Sequence, residues 1–280
     1  MESALPPAWP AIERGAGRTV LFLHGYPLNH EMWQSSLNAL SKDHHVVLLD
    51  LPGYGLARDW PVPDTLAGFS EKLQLTIASR FPGPIVLVGH SFGGYLALQL
   101  YRDAPEQFSG LVLTNTRSQA DTPEARAKRL ETVQQLEEAG GSLDTEAVAR
   151  SLVAPATWAS GGAPVETVRS MVREVRPTTV TASLRAIADR PDLTPVLASI
   201  AVPTLVVWGE DDQLIPPEQT QAMVAQIPRS VGVGLTGAGH LPSLETPGPF
   251  VNAVHELLDR VEKAGGTAGG PVPSGPERSL

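Results

Sequence analysis

The chain has 280 residues, of which 42% are hydrophobic, and it carries a formal net charge of −9. This length fits one large α/β domain or a core with an insertion, and the negative charge, which comes without a basic cluster, argues against binding to nucleic acid or anionic membranes. The absence of cysteine excludes disulfides, thiolate catalysis and cysteine-based metal sites.

The first residues, MESALPPAWP, lack the basic start and the apolar core of a signal peptide, and no later stretch is apolar enough to span a membrane. We therefore expect a cytoplasmic protein. Farther along, apolar runs alternate with helical patterns, which predicts an α/β fold with a doubly wound, mostly parallel sheet. The predicted strands are Val20–Leu23, Val46–Leu49, Ile85–Val88, Leu111–Leu113, Leu205–Trp208 and Val231–Leu235.

The first and third predicted strands both lead into glycine turns, with the sequences HGYP and GHSFGG. Gly89 and Gly93 flank Ser91 in the G-x-S-x-G spacing, in which a sharp strand-to-helix turn presents the serine hydroxyl as a nucleophile. The turn after the first strand can aim the Tyr26 N–H at the same point as the Phe92 N–H. Two such donors predict an oxyanion hole, and we expect the side chains of both residues to form walls near the nucleophile.

The alternation of strands and helices stops after residue 116, where the sequence becomes helical and charged. We predict that residues 117–199 form a helical cap over the active site, inserted into a core of residues 18–116 and 200–263. Leu152, Trp158 and Met171 of this cap, together with Tyr26, are candidates for lining a substrate pocket, although packing within the cap explains each of the three equally well. The Gly- and Pro-rich residues 264–280 predict a disordered tail.

The last two predicted strands supply an acid and a base. One is followed by Gly209-Glu210-Asp211-Asp212, and the other leads through two glycines to His240. Open parallel sheets build their sites at the carboxyl ends of the strands, so we expect these side chains to meet Ser91 there. The chain order serine, acid, histidine fits a catalytic triad on this type of sheet. No histidine pair has metal-binding spacing with an acidic partner, so we expect no metal.

The motifs HGYP, DLPGYG, GHSFGG, WGEDD and GAGH, in this order, resemble the α/β-hydrolase superfamily from residue 18 to about residue 260. The segments HGYPLNHEMW and NTRSQADTPEARAKR look most like small bacterial carboxylesterases and enol-lactonases. The resemblance implies Asp212 rather than Asp211 as the acid, since the family's acid stands third after the glycine that Gly209 matches. Relatives that open halides or epoxides carry aspartate at the turn, so Ser91 argues against both reactions. The sequence departs from the family pattern in two places. The second motif is followed by Leu56-Ala57, and the segment before the first predicted strand is too short for the usual two opening strands.

The expected reaction is hydrolysis of a carboxylic ester through an acyl-enzyme on Ser91, with His240 as the base, Asp212 as its orienting acid and no cofactor. A lactonase and a perhydrolase or haloperoxidase are alternatives at the same site. A non-catalytic ligand-binding protein on this fold is an alternative of a different class, which would not need all three triad residues. We expect a small-molecule ester as the partner, without nucleic acid or membrane, and a homo-oligomer stays open.

Overall fold

The computed structural model describes residues 9–138, 140 and 142–266. Within this part of the chain, seven strands form one sheet in the order β1-β3-β2-β4-β5-β6-β7. All neighbouring strands are parallel except β1, which runs antiparallel to β3. The strands are β1 (Ala11–Arg14), β2 (Thr19–Leu23), β3 (His45–Leu49), β4 (Ile85–His90), β5 (Phe108–Thr114), β6 (Thr204–Gly209) and β7 (Ser230–Leu235). The predicted fold class is confirmed.

The helices cover both faces of the sheet, because alternate residues of the buried strands point to opposite sides. Helices α1 and α12 pack on one face, and α2, α3 and α10 pack on the other. The helices are α1 (Gln34–Leu40), α2 (Leu66–Arg80), α3 (Phe92–Asp103), α4 (Pro123–Glu138), α5 (Thr145–Leu152), α6 (Pro155–Ser160), α7 (Ala163–Glu174), α8 (Pro177–Ala188), α9 (Thr194–Leu197), α10 (Pro217–Val224), α11 (Pro242–Glu245) and α12 (Pro247–Gly266).

Helices α4 to α9 all lie between β5 and β6, in the range for which the sequence predicted a cap. The described residues of this helical segment, 117–199, contain no strand. Its division from the core as a separate cap domain stays a prediction. Residues 264–266 complete α12, and the rest of the predicted tail, 267–280, lies outside the described residues. None of the described helices has both the length and the apolar character needed to cross a membrane.

The loop after β3, which carries the DLPGYG motif, is organised around a buried carboxylate. Asp50 accepts hydrogen bonds from the His30 backbone N–H and from His30 Nδ1, each at 2.6 Å, and from the Leu56 N–H at 2.8 Å. Burial alone would raise the pKa of Asp50, but the hydrogen bond and the charge of His30 lower it, and the same bond raises the pKa of His30. Leu56, one of the two residues that depart from the family pattern, has an exposed side chain, and its N–H donates to the Asp50 carboxylate.

Candidate active site

Ser91 lies on a sharp turn between β4 and α3. Its backbone has a φ of 50°, a left-handed value that is rare for residues other than glycine. A Cβ at Gly89 would overlap the Gly93 carbonyl, and one at Gly93 would overlap the Leu23 carbonyl, so both positions require glycine. The Ser91 N–H donates to the Thr114 carbonyl at 3.0 Å, which ties the turn to β5. A strained, well-anchored serine of this kind is a candidate nucleophile.

Asp212 and His240 form a buried pair on the loops that follow β6 and β7. His240 Nδ1 lies 2.8 Å from Asp212 Oδ2, while Oδ1 accepts the N–H groups of Leu214 and Ile215 at 2.9 and 3.1 Å. An ionised carboxylate only accepts, so this contact places the proton of the imidazole on Nδ1 and leaves Nε2 free to accept one. Asp211 is exposed.

The Asp212 carboxylate is held in its charged form. Burial would raise its pKa, but the neighbouring His240 and hydrogen bonds from His240, Asn115 and the Ile215 N–H lower it to about 2. Asn115, directly after β5, donates from Nδ2 to Asp212 Oδ2 at 2.8 Å and to the Gly239 carbonyl at 3.1 Å. The sequence reasoning missed Asn115, and its position at the carboxyl end of a predicted strand was the one available signal.

Glu245 joins the histidine loop to the helical segment. Its Oε1 accepts the N–H groups of Gly239 and Leu241 at 2.9 and 3.1 Å, on either side of His240. Its Oε2 accepts the Ala154 N–H and the Thr157 hydroxyl at the start of α6, both at 2.7 Å. Burial raises the pKa of Glu245 despite these bonds. This residue was also missed, because nothing local in its sequence distinguishes it from a surface acid.

The turn proposed to carry one oxyanion donor lies against the serine turn. A Cβ at Gly25 would come within 3.2 Å of the Ser91 Cβ, and the Leu28 N–H closes the turn on the Gly25 carbonyl at 2.9 Å. His24 holds the same turn, since its Nε2 accepts the Leu51 N–H at 2.9 Å and its Nδ1 therefore donates to the Gly25 carbonyl. Phe92 is the first residue of α3, where backbone N–H groups have no partner within the helix.

His90, which precedes Ser91, contacts the backbone of the histidine loop. Its Nε2 donates to the His240 carbonyl at 2.7 Å, and the two rings meet edge to face at 4.7 Å between centroids. Burial first, and the neighbouring His240 second, lower the pKa of His90 to about 3, so the ring is neutral. His90 does not line the cavity above Ser91, and its contacts instead support the position of His240.

A cavity of about 250 Å³ opens above Ser91 between the core and the helical segment. Four of the predicted site residues, Ser91, His240, Tyr26 and Leu152, contribute to its walls, and Asp212 lies behind His240. The lining residues are Tyr26, Pro27, Ser91, Tyr95, Arg117, Arg129, Val148, Ser151, Leu152, Ile187, Leu214, Ile215 and His240. The described residues contain no cluster of three or more His, Asp or Glu side chains that could hold a metal ion.

Residues 20–253 match the sequence model of the alpha/beta hydrolase family. The chain belongs to this family. Among curated relatives, the pimeloyl-[acyl-carrier protein] methyl ester esterase of Edwardsiella ictaluri is 31% identical, in a match that covers 88% of this chain and 95% of the relative. The enzyme of the same name from Nitrosomonas europaea is 29% identical, in a match that covers 87% of this chain and 96% of the relative. Among solved structures, a malate-bound thermophilic esterase from Thermogutta terrifontis has a TM-score of 0.84 at 33% identity, covering 90% of this chain and 93% of its own. The enol-lactonase of Burkholderia xenovorans shares the fold, with a TM-score of 0.80 at 21% identity. This match covers 89% of this chain and 96% of the enol-lactonase.

Three side chains of this alpha/beta hydrolase lie away from the positions that the sequence suggested. Met171 is buried among the apolar residues of α5 and α7, and Trp158 is half-buried beneath the Arg169 guanidinium at 5.1 Å. Neither lines the cavity, because both are used to pack the helical segment. The Phe92 ring points into the core and meets Phe69 edge to face at 5.2 Å, so its side chain does not form a wall of the cavity as expected.

Proposed function

We propose that the protein hydrolyses carboxylic esters through an acyl-enzyme on Ser91. His240 Nε2 takes the hydroxyl proton as the serine oxygen attacks the ester carbonyl, and the N–H groups of Tyr26 and Phe92 stabilise the oxyanion. Collapse breaks the bond to the alcohol, which leaves with the proton from His240. Water then attacks the acyl-enzyme in the same way, which releases the acid and restores Ser91. Asp212 orients the imidazole and stabilises its charged form.

The proposal rests on one arrangement, in which a serine on a strained turn and a histidine paired with a low-pKa carboxylate face the same cavity. The relatives add support, because proteins at 31% and 33% identity over nearly the full chain carry the names of esterases. The enol-lactonase and a bromoperoxidase from Bacillus anthracis, at 21% and 17% identity, share the fold alone and give no reason to prefer their reactions.

Replacement of Ser91 by alanine tests the proposal. We expect kcat on a short aryl ester such as p-nitrophenyl acetate to fall by about 10³- to 10⁶-fold, because the members of a triad act as a unit. A fluorophosphonate probe should label the wild type and not the variant. Ser160→Ala is the control, since Ser160 is an exposed serine at the end of α6 that does not line the cavity, and it should keep both labelling and turnover.

Circular dichroism should show that Ser91→Ala is folded. Esterase activity in this variant within about tenfold of the wild type would contradict the assignment of the nucleophile. Absence of both probe labelling and ester turnover in the wild type would instead favour a binding protein on a hydrolase fold.

A further inference from the structure

The cavity has a positively charged side. Arg117 and Arg129 line it together with Ser91 and His240, whereas no aspartate or glutamate lines it. This is the reverse of the chain as a whole, whose formal net charge is −9. A cavity lined by one sign of charge concentrates ligands of the opposite sign. The two arginines are therefore a feature of the site that hydrolysis of a neutral ester does not use.

The only acidic partner that the described residues offer these arginines is shared among three cations. Asp121, whose side chain is fully buried, accepts from Arg129 Nε at 2.9 Å and from Arg117 Nη2 at 3.1 Å, and Arg190 Nη2 lies 2.8 Å from it. Burial would raise the pKa of Asp121, but the hydrogen bond from Arg129 and the charges of Arg129 and Arg190 lower it, so the carboxylate is ionised. Three guanidinium groups facing one carboxylate leave two positive charges beside the cavity.

The hydrogen-bonding capacity of the cluster is also incompletely used. Arg117 Nη1 donates to the neutral Gln219 side chain at 2.9 Å, and the buried Nε of Arg117 has no partner. Arg190 Nη2, although close to Asp121, lacks a hydrogen-bonding alignment with it. Buried donors without partners are uncommon in proteins, and they often mark a place where a ligand supplies the acceptor.

The cluster is connected to the nucleophile through one side chain. Tyr95 follows Ser91 by one turn of α3, and its N–H donates to the Ser91 carbonyl at 3.1 Å. The Arg190 guanidinium lies over the Tyr95 ring, 4.6 Å from its centroid. On the other side, the Arg129 charge acts on the Tyr26 phenol, whose pKa is raised by burial and lowered in part by this arginine. Ser91, Arg117 and Arg129 also line the same cavity of about 250 Å³, so a substrate that fills it contacts the serine and the arginines together.

We propose that Arg117 and Arg129 bind a carboxylate carried by the ester substrate, so that the enzyme prefers half-esters of short dicarboxylic acids to neutral esters. Guanidinium groups suit this ligand, because their paired N–H donors match the two oxygens of a carboxylate. The two arginines then select the acid part of the substrate, while the reaction proceeds at Ser91. The inference rests on the proposed esterase function.

The test compares monomethyl succinate and monomethyl glutarate with methyl butyrate and methyl valerate, in which a methyl group replaces the free carboxylate. Acid release at constant pH gives kcat/KM for each ester. We expect the wild type to prefer the half-ester of each matched pair by about 10- to 100-fold, the range of one or two charge-assisted hydrogen bonds. Arg117→Gln and Arg129→Gln should each lower this ratio by about tenfold or more, and Arg129→Lys should lower it less.

Arg126→Gln is the control, since Arg126 lies on α4 like Arg129 but pairs with exposed Asp189 away from the cavity. It should leave the ratio unchanged. A measurement without variants guards against misfolding: succinate should compete with methyl butyrate for the wild type at least tenfold better than butyrate does. The acetate ester of glycolate carries its carboxylate on the alcohol part of the ester instead of the acid part. If the wild type preferred this ester to ethyl acetate and showed no preference for the half-esters above, the assignment of the carboxylate to the acid part would be overturned.

The inference is overturned if the wild type hydrolyses neutral esters and half-esters equally well and succinate inhibits no better than butyrate. That result would leave the proposed function intact. Hydrolysis of none of these esters, by contrast, would remove the proposed function and this inference together.

Discussion

Replacing Asp212 by asparagine tests the acid of the proposed triad through a conflict between hydrogen-bond donors. The backbone N–H groups of Leu214 and Ile215 need an acceptor, so the amide oxygen must stay at the Oδ1 position. The new NH₂ group then faces His240 Nδ1 and the Asn115 amide, which are both donors in the wild type. The imidazole escapes this conflict only by moving its proton to Nε2, where it can no longer accept the proton of Ser91.

Loss of the carboxylate that fixes this tautomer costs about 10⁴-fold in kcat, or about 5.5 kcal/mol in the activation barrier. Folding stability should fall as well. The pKa of Asp212 drops from 3.8 to about 2 on folding, which at about 1.4 kcal/mol per pKa unit amounts to about 2.5 kcal/mol at neutral pH. A carboxylate whose pKa is lowered by folding stabilises the folded protein at pH values above its unfolded pKa. The contribution of the Asp212 charge to the stability difference is therefore present above pH 3.8 and disappears as the pH falls toward 2.

The assay is kcat on a short aryl ester, combined with urea unfolding of the wild type and the variant at pH 7 and pH 3. Asp211→Asn is the matched control, because Asp211 is the exposed neighbour of Asp212 and should change neither quantity by much. Turnover by Asp212→Asn within about tenfold of the wild type, or a greater loss in Asp211→Asn, would refute the reasoning. A stability difference that grows toward pH 3 would refute the charge argument.

Two further substitutions probe the surroundings of the site. Asn115→Ala removes one donor to Asp212 and leaves an alanine at a φ of 46°. We therefore expect the free energy of unfolding to fall by about 2 kcal/mol and kcat to fall by about tenfold. Unchanged values in urea unfolding and ester turnover would count against the role of Asn115. His30→Gln removes a partner of Asp50, and because folding raises the pKa of His30, its contribution is complete below pH 6.5 and is lost as the pH rises through the raised value. Urea unfolding should therefore show a larger destabilisation by His30→Gln at pH 6 than at pH 9, and an equal or reversed difference would contradict this.

The central strands could be predicted from the sequence to within a few residues. They are buried on both faces, so each appears as a continuous apolar run between turn signals. The first strand, Ala11–Arg14, was missed because it is an antiparallel edge strand, only half-buried at its start and exposed at its end. A strand of this kind leaves no apolar run in the sequence.

The candidate site shows the same limit at the level of side chains. Ser91, Asp212 and His240 could be named because each follows a predicted strand and parallel strands end at one edge of the sheet. Asn115 also follows a predicted strand, but its contact with Asp212, like the contacts of Glu245 and the arginine cluster, is tertiary, and no local spacing encodes it. The apolar residues of the helical segment were ambiguous for a related reason, since the same residue type serves packing and pocket lining, and Leu152 turned out to do both.

The Glu245 carboxylate has a mechanical consequence for the catalytic cycle. One of its oxygens holds the backbone on both sides of His240, and the other holds the first turn of α6. The Glu245 side chain thus links the two elements, so α6 cannot rise from the core without displacing the histidine loop or breaking the two hydrogen bonds that Oε2 accepts, at about 0.5 to 1.5 kcal/mol each or more. An outward movement of α6 is therefore coupled to the position of His240, the proposed base, and if the proposal holds, full reactivity requires that helix to be in place.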